Sequence, residues 1–357
     1  MSGKRAVAAM SGGVDSSVAA AMLVEEGWET VGVTLKLLPR GETGFGCCGS
    51  PADIEDARRV CDQLGIPHYS VDLASLFEDK VISPFVRSYL EGRTPNPCAE
   101  CNRSLKFGYL PALAEAWGAQ AVATGHYARV EDGKLLRSKD EEKDQTYFLY
   151  GLSAREISRA LFPVGNLKKE QVREKARKLG LKTADKKESQ ELCFIPNKDY
   201  KGFLAQRQEG KDLTNRNGPI KDIKGNELGR HNGLAAYTVG QRKGLGLPGG
   251  SAPQYVIRLE TDSNTVVVGG EEEAVSVGLS AEAASWTGGV PSAPFRAEVR
   301  VRHRHPPAPA MVEPAGPRAF RVRFDEPQRA VAPGQSAVLY RGEEVLGGGT
   351  IVRQEES

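Results

Sequence analysis

Several features that mark other classes of protein are missing from this chain of 357 residues. No segment approaches the roughly 18 consecutive apolar residues that a transmembrane helix needs, and the apolar stretch near the N-terminus is too short for the core of a signal peptide. The net charge is only +2, so it identifies no partner, and a composition with 39% hydrophobic residues excludes a disordered or collagen-like chain. We therefore expect a globular, cytoplasmic protein with no membrane segment.

Cysteine is also scarce, with six residues, and their spacing excludes two kinds of site. Because the cytosol keeps thiols reduced, a disulfide-stabilised scaffold is not expected. Cys98 and Cys101 form a CxxC pair, but no second CxxC and no nearby HxxxH would complete a structural zinc site. Cys193 stands alone in the sequence. A redox, persulfide or iron–sulfur role stays open for these three residues.

The first 125 residues alternate between short apolar segments and amphipathic ones. The pattern predicts strands over residues 5–10, 30–37 and 67–73 and helices over residues 18–27 and 51–65. A repeating strand–helix rhythm is typical of a parallel sheet with helices on both faces, whose ligands bind at the carboxyl ends of the strands. We therefore expect the chemistry in the turns after Met10, Leu37 and Thr124.

The rest of the chain changes character twice. Residues 166–180 are typical of an amphipathic helix with a basic face, and an ordinary solvated helix explains them equally well. From about residue 200 Asn and Gly become frequent, and after about residue 253 polar and apolar residues alternate as in strands. In one such run Phe320, Val322 and Phe324 would face one side, with arginines on the other. The expected fold class is α/β: a Rossmann-like parallel-sheet catalytic domain over residues 1–199, a small central domain over 200–275 and a C-terminal β-barrel over 276–357.

Two common nucleotide-binding signatures are absent or incomplete. The chain has no GxxxxGK[ST] segment, which excludes a Walker-type phosphate loop. A GxGxxG match at Gly44, Gly46 and Gly49 is separated from the preceding predicted strand by several residues. Because a dinucleotide needs a tight turn from strand to helix, we do not expect a Rossmann cofactor site there.

The more informative segment is SGGVDSS at residues 11–17, between a buried strand and the start of a helix. Two glycines allow a sharp turn, after which N–H groups and hydroxyls point at an anion near the positive end of the helix. This geometry suits pyrophosphate, although a plain helix cap rich in Ser and Gly would have the same composition. Asp15 would repel phosphate unless it binds Mg²⁺ or caps the helix. The segment is similar to the loop of the N-type ATP pyrophosphatases, which activate a substrate oxygen as an adenylate and release pyrophosphate.

Further motifs narrow the choice among the enzymes of this superfamily. They are TPNPCAECN at residues 94–102, KF at 106–107, ATGHY at 123–127, KDQTYFL at 143–149, LFPVG at 161–165, CFI at 193–195 and GQRKGLG at 240–246. Together they resemble the tRNA-specific 2-thiouridylases, which replace oxygen by sulfur at C2 of uridine 34, the wobble position of the anticodon. The resemblance runs from residue 5 to near the C-terminus, and the joint occurrence of the motifs is highly specific.

The resemblance implies an ATP site, with Mg²⁺, and a sulfur-transfer pair. The cysteine that matches Cys193 carries sulfur as a persulfide, and the one that matches Cys101 releases it, leaving a disulfide between the two. Thiolates suit this chemistry because they are good nucleophiles and exchange sulfur. The residues implied at the ATP site are Ala9, Met10, Ser11, Gly12, Gly13, Val14, Asp15, Ser16, Leu35 and Gly125.

One residue departs from the family pattern. Many relatives have Asp where this chain has Cys98, and a general-base role assigned to that carboxylate does not transfer to a thiol. Cys98, Cys101 and Cys193 could instead hold a [4Fe–4S] cluster with one iron free to bind sulfide. The cluster and the persulfide cycle both remain open at this point. Either one predicts that thiolation is lost when Cys101 or Cys193 is replaced by Ala.

The implied partners are tRNAs for Lys, Glu and Gln and a protein that donates persulfide sulfur, such as a cysteine desulfurase or a sulfur relay protein. The β-barrel sequence adds Arg296, Arg300, Arg302 and Arg304 on one predicted strand face, which suits a phosphate track or an ordinary exposed face. The resemblance implies that Asn96, Pro97 and Cys98 contact the target base. The other implied tRNA contacts are His126, Lys143, Asp144, Gln145, Arg302, His303 and Gln335.

Three other functions share parts of this pattern. An ATP-pyrophosphatase-type ligase acting on a small metabolite would share the loop but would not need the Cys101 and Cys193 pair. A non-catalytic RNA-binding protein with a vestigial loop would not need to retain Asp15 with both cysteines. A relative that thiolates another tRNA position is disfavoured by the TPNP and GHYAR segments.

Overall fold

The computed structural model describes residues 3–38, 49–186, 192–195, 199–207, 216–247 and 252–356. The helices are α1 (Val14–Glu25), α2 (Pro51–Leu64), α3 (Ala74–Phe77), α4 (Ser83–Leu90), α5 (Pro97–Cys101), α6 (Leu110–Ala116), α7 (Ala154–Ile157), α8 (Lys169–Lys178) and α9 (Tyr200–Gln206). The strands are β1 (Arg5–Ala9), β2 (Glu29–Lys36), β3 (His68–Asp72), β4 (Ala121–Ala123), β5 (Ala128–Glu131), β6 (Lys134–Arg137), β7 (Ala160–Leu161), β8 (Gly218–Asp222), β9 (Glu227–His231), β10 (Tyr255–Glu260), β11 (Thr265–Gly269), β12 (Val275–Trp286), β13 (Phe295–Arg300), β14 (Ala308–Pro314), β15 (Ala319–Arg329), β16 (Ser336–Arg341) and β17 (Glu344–Glu356).

The N-terminal sheet is parallel and has the strand order β3-β2-β1-β4-β7. Its central strand, β1, is buried on both faces: Val7 packs into one apolar cluster, and Ala6 and Ala8 pack into another. Burial on both sides explains why β1 is an unbroken apolar run. The predicted α/β class with a parallel sheet is confirmed.

Helix starts were harder to predict than strands. The sequence predicts the first helix from residue 18, but α1 begins at Val14. The hydroxyls of Ser16 and Ser17 both donate to the carbonyl oxygen of Gly13, at 3.0 and 2.8 Å, and this allows polar residues to form the first turn. Helix α2 behaves as predicted, because Ser50 caps its start and Gly65, at φ 68°, ends it.

The central region forms a small mixed sheet of order β10-β11-β8-β9, in which β11 and β8 are parallel. Ile220, Val256, Val266 and Val268 form its apolar core. The alternation after about residue 253 predicts β10 and β11 as strands, whereas β8 and β9 are short and are not predicted.

The C-terminal region is a β-barrel, as expected. Within the described residues its strands follow the order β12-β15-β14-β13-β16-β17, and pairing of β12 with β17 closes the ring. Phe320, Val322 and Phe324 are buried, while Arg321 and Arg323 between them are exposed, so the predicted alternation is confirmed. The β5–β6 hairpin from the N-terminal half extends this sheet at β17, so the two parts of the chain share backbone pairing.

The predicted arginine face on this barrel is wrong. Strand β13 ends at Arg300, so Arg302 and Arg304 lie in the following turn. Arg296 binds the carboxylate of Asp325, and the side chain of Arg300 is only 13% exposed and approaches Asp144 at 3.4 Å. The strand is shorter than its alternating pattern implies, and two of the four arginines are already neutralised.

No helix in the part of the chain that the structure describes has both the length and the apolar character required to cross a membrane.

Candidate functional site

A cavity of about 250 Å³ lies at the carboxyl ends of β1 and β4. Met10 and Ser11 follow β1 and line its wall, and Thr124 does the same after β4. This is where a parallel sheet places its ligands, as expected from the sequence. The third expected turn, after Leu37, leads into residues 39–48, which lie outside the described residues.

Most residues predicted to bind ATP share this cavity. They are Ala9, Met10, Ser11, Gly13, Val14, Asp15, Ser16, Leu35 and Gly125. Gly12 does not line it. The φ of Gly12 is +73°, and a Cβ there would collide with the backbone of Asp53, so a glycine is needed for the turn and for close contact with α2.

The SGGVDSS loop is held in shape by its own hydroxyls. The hydroxyl of Ser16 accepts a hydrogen bond from the backbone N–H of Ser11 at 3.2 Å and lies 3.1 Å from the Ser11 hydroxyl oxygen. The N–H of Gly13 donates to the same Ser11 hydroxyl at 3.4 Å. The loop therefore presents the start of α1, the positive end of the helix dipole, to the cavity without help from a ligand.

Asp15 neither caps the helix nor faces the cavity as a bare anion. Both of its carboxylate oxygens accept hydrogen bonds from Nζ of Lys169, each at 2.8 Å, and one also accepts from the Tyr127 hydroxyl at 2.9 Å. The Lys169 side chain is only 10% exposed. A lysine from α8 thus neutralises the carboxylate, an arrangement that the sequence did not predict.

The electrostatic balance of the cavity is positive. Four lysines and two aspartates line it, and four positive charges less two negative ones leave a formal charge of +2. Such a surplus favours a polyanionic ligand such as a triphosphate. The lining residues that sequence analysis did not assign to a site are Val33, Asp53, Lys106, Thr124, Tyr127, Lys169 and Lys186. Lys169 and Lys186 lie in or after the basic helix, more than 150 residues from the loop, so no local pattern marks them.

Lys186 joins the loop to α2. Its Nζ donates to the carbonyl of Gly12 at 3.0 Å, to Asp53 at 2.8 Å and to Asp56 at 2.6 Å. Burial opposes the charged form, but the hydrogen bonds to Asp53 and Asp56 outweigh it and raise the pKa of Lys186 above its ordinary value. This lysine therefore stays charged and acts as a crosslink under the loop.

Three of the residues implied in tRNA contact open into the same cavity: His126, Lys143 and Gln145. His126 is buried, with Nδ1 2.7 Å from the Thr124 hydroxyl and Nε2 3.5 Å from Nζ of Lys106. Burial, and then the positive charge of Lys106, lower the pKa of His126 well below its ordinary value, so the ring is neutral. Gln145 accepts a hydrogen bond from the Tyr127 N–H at 2.9 Å, which fixes its carbonyl oxygen.

The two cysteines proposed for sulfur transfer pack into one apolar cluster. Cys101, at the end of α5, is buried in it, and Cys193 is half-buried against it. Pro97 begins α5, and the Asn96 side chain caps it by accepting from the N–H of Ala99 at 3.3 Å. The sequence separation between the two cysteines therefore does not keep them from sharing one environment.

The iron–sulfur interpretation does not fit this arrangement. Among the residues that the structure describes, which include Cys98, Cys101 and Cys193, no three side chains of His, Cys, Asp or Glu gather in a group that could hold a metal ion. Cys101 is buried in the apolar core, and Cys98 is half-buried.

The remaining residues implied in tRNA binding lie where the N-terminal domain meets the barrel. Asp144 is 3% exposed and accepts hydrogen bonds from Thr146 and from Arg300. His303 is half-buried, with Nε2 3.3 Å from the carbonyl of Asp144, whereas Arg302 beside it is exposed. Gln335 donates to backbone carbonyls just before Asn96. A direct RNA contact is open to Arg302 but requires rearrangement for Asp144.

Comparison with known proteins covers nearly the whole chain. Residues 4–197 match the tRNA methyl transferase HUP domain family, residues 203–270 the tRNA methyl transferase PRC-barrel domain family, and residues 276–351 the aminomethyltransferase beta-barrel domain family. The chain is 49% identical to tRNA-specific 2-thiouridylase MnmA of Carboxydothermus hydrogenoformans, over 98% of each chain. It is 47% identical to the protein of that name in Koribacter versatilis, over 96% of this chain and 97% of the other. A solved 4-thiouridine synthetase–RNA complex with bound ATP is similar to 54% of this chain, covering 46% of that chain, with 20% identity and a TM-score of 0.38.

Proposed function

The chain belongs to the tRNA-specific 2-thiouridylase family, and from that premise we propose that it catalyses ATP-dependent 2-thiolation of uridine 34 in tRNA. The observation that carries the proposal is the shared cavity. The SGGVDSS loop and three residues implied in tRNA contact beside the target base, His126, Lys143 and Gln145, line one space. A nucleotide held by the loop and a base held by the opposite wall would meet there.

In the first step the uracil O2 attacks the α-phosphorus of ATP. The bond between the α-phosphorus and the bridging oxygen breaks, and pyrophosphate leaves with the N3 proton of the base. The start of α1 and the four lysines of the cavity favour the charge that builds up on the leaving group. The O2-adenylate then carries AMP as a good leaving group at C2.

In the second step sulfur replaces AMP. The terminal sulfur of a Cys193 persulfide attacks C2 and expels AMP, and the Cys101 thiolate then attacks Sγ of Cys193. The sulfur–sulfur bond of the persulfide breaks, 2-thiouridine takes up a proton at N3, and a Cys101–Cys193 disulfide remains. An external dithiol reduces the disulfide, and a persulfide donor protein, such as a cysteine desulfurase or a sulfur relay protein, recharges Cys193.

Metal ions have a limited place in this proposal. Mg²⁺ would neutralise the phosphates of ATP, but the two aspartates that line the cavity are already bound to lysines. The ion therefore enters mainly as a companion of the nucleotide. The described cysteines do not form a ligand set for a [4Fe–4S] cluster, so the persulfide cycle is the mechanism we favour over the cluster.

The test is thiolation of unmodified tRNA with ATP, Mg²⁺ and a persulfide donor, detected by retardation in a mercury-containing gel. We expect tRNAs for Lys, Glu and Gln to be thiolated, and pyrophosphate release to depend on tRNA. Cys101→Ala and Cys193→Ala should abolish the product. Cys61→Ala is the matched control, because Cys61 is fully buried in α2 and burial raises its pKa to about 12.

Two results would contradict the proposal. Pyrophosphate release that does not require tRNA would favour the small-metabolite ligase. Full thiolation by Cys101→Ala or Cys193→Ala would show that sulfur transfer does not use this cysteine pair.

A further inference from the structure

The segment that leads into Pro97 and Cys98 of α5 forms no helix or strand. Residues 93–96 lie between α4 and α5, outside any helix or strand. Pro95 and Pro97 lack backbone N–H groups, so this stretch cannot form a regular hydrogen-bond ladder. Its carbonyl groups must find partners elsewhere, and they find them on the barrel.

We infer that the barrel residues Gln335 and Ser336 position the segment implied to hold the target base, and that they affect thiolation through this segment. The inference rests on the proposed function. It assigns to β16 and the turn before it a positioning role in catalysis.

Gln335 supplies the first contact. Its side-chain Nε2 donates to the carbonyl of Thr94 at 3.0 Å and to the carbonyl of Pro95 at 3.1 Å. An amide nitrogen has two hydrogens, so these two bonds use its whole donor capacity. Both carbonyls immediately precede Asn96, and their positions set the path of the chain into α5.

Ser336 supplies the second contact, within a chain of hydrogen bonds. Its hydroxyl accepts from the Asn96 amide at 3.0 Å and donates to the Tyr150 hydroxyl at 3.2 Å. Its carbonyl accepts from the Tyr147 hydroxyl at 2.9 Å. Ser336 is 1% exposed, so these bonds form away from water, where losing one is costly.

The backbone of the barrel also lies close to the backbone of this segment. The N–H of Thr94 donates to the carbonyl of Pro333 at 2.8 Å. Gly334 has φ +92°, and a Cβ there would come within 2.8 Å of the carbonyl oxygen of Thr94. Three successive barrel residues, Pro333, Gly334 and Gln335, therefore fit against one residue of the segment, Thr94.

The contacts also connect two walls of the site. Asn96 caps α5, which carries Cys98 and Cys101, while Tyr147 and Tyr150 follow Gln145, which lines the cavity. Ser336 is bonded to both sides. A displacement of the barrel would therefore move the cysteine helix relative to the cavity, and misplacement by about 1 Å can lower a rate by roughly 100-fold.

The test is Gln335→Met, which keeps the length of the side chain, adds no charge and removes both donors. We expect kcat for thiolation to fall by about 10- to 100-fold. Because Gln and Met are both neutral, we expect the slope of log affinity for tRNA against log salt to stay unchanged. Gln354→Met is the matched control, because Gln354 also donates from the barrel to a backbone carbonyl, that of Ile257, away from this segment. It should leave kcat unchanged.

A second measurement does not depend on activity. Amide hydrogen exchange over residues 96–101 should accelerate in Gln335→Met and in Ser336→Ala but not in Gln354→Met, provided that all variants melt as folded proteins. If the wild type exchanges as expected but thiolates no tRNA, the proposed function fails while the positioning contact stands. Unchanged exchange together with unchanged kcat would overturn the inference, and weaker tRNA binding in such a variant would mean that Gln335 acts only as a tRNA ligand.

Discussion

The loop cavity and the barrel interface are built over different distances in the sequence. The bonds that shape the SGGVDSS loop join residues two to five positions apart, for instance Ser11 with Ser16 and Ser17 with Gly13. At the barrel interface the bonds from Gln335 and Asn96 join residues about 240 positions apart. A local motif therefore predicts the loop cavity well. At the barrel interface, by contrast, side chains that are implied in RNA contact form hydrogen bonds within the chain itself.

The largest effect is expected at a place where the loop departs from this rule, its long-range pair with Lys169. Lys169→Met would leave the Asp15 carboxylate facing the phosphates without its neutralising charge. We expect kcat/KM for ATP to fall by roughly 100-fold, measured as tRNA-dependent pyrophosphate release, because the unneutralised carboxylate repels the triphosphate. The double variant Asp15→Asn with Lys169→Met should recover part of the loss, because it also removes the repelling charge. No recovery would mean that Lys169 acts directly on the nucleotide.

A smaller effect, on the free energy of unfolding, distinguishes the backbone conformation of the loop from its packing against α2. Gly12 and Gly27 both have positive φ, +73° and +77°, but a Cβ at Gly12 meets the backbone of Asp53, whereas a Cβ at Gly27 meets nothing within 4 Å. Gly27→Ala should cost about 1–2 kcal/mol, from the left-handed backbone alone. Gly12→Ala should cost about 1–3 kcal/mol more, from the collision with a second element. Urea unfolding measures both, and equal losses would show that α2 yields to the added methyl group.

An effect of about 1 kcal/mol per pH unit is expected from His126. Burial lowers its pKa in the folded protein, so the unfolded state binds a proton more readily. Stability is therefore present above the ordinary histidine pKa of about 6.5 and is lost as the pH falls below it. His126→Gln should reduce the loss of stability between pH 6.5 and 5, measured by thermal unfolding. His305→Gln, at a half-buried histidine outside the cavity, should reduce it less.

The smallest effect concerns the affinity of the barrel interface for tRNA. Arg302 is exposed in the turn after β13, whereas Arg300 is bound to Asp144 inside the interface. Arg302→Ala should flatten the slope of log affinity for tRNA against log salt by about one unit, with little change in stability. Arg300→Ala should lower the melting temperature instead. An unchanged slope in Arg302→Ala would argue against a phosphate contact.

How much of the site could be read from the sequence depends on the kind of contact. Ser11, Asp15 and Ser16 were predicted correctly as neighbours, because a strand, a tight turn and a helix start leave them little choice of position. Lys186 was not predicted, because its basic stretch has the pattern of an ordinary solvated helix and its partners lie more than 130 residues away.

The amino-acid sequence by itself determined the parallel α/β order of the N-terminal domain, the β-barrel and the anion-binding loop. These depend on the periodicity of apolar residues and on glycine and serine at a turn, which act over a few residues. Only the tertiary structure decided that Lys169 neutralises Asp15, that Asp144 is buried, and that Gln335 and Ser336 hold the segment before α5. The polar side chains in these contacts could equally well form hydrogen bonds with water, so the sequence around each residue does not identify its partner. The partner is decided only when packing brings distant elements together.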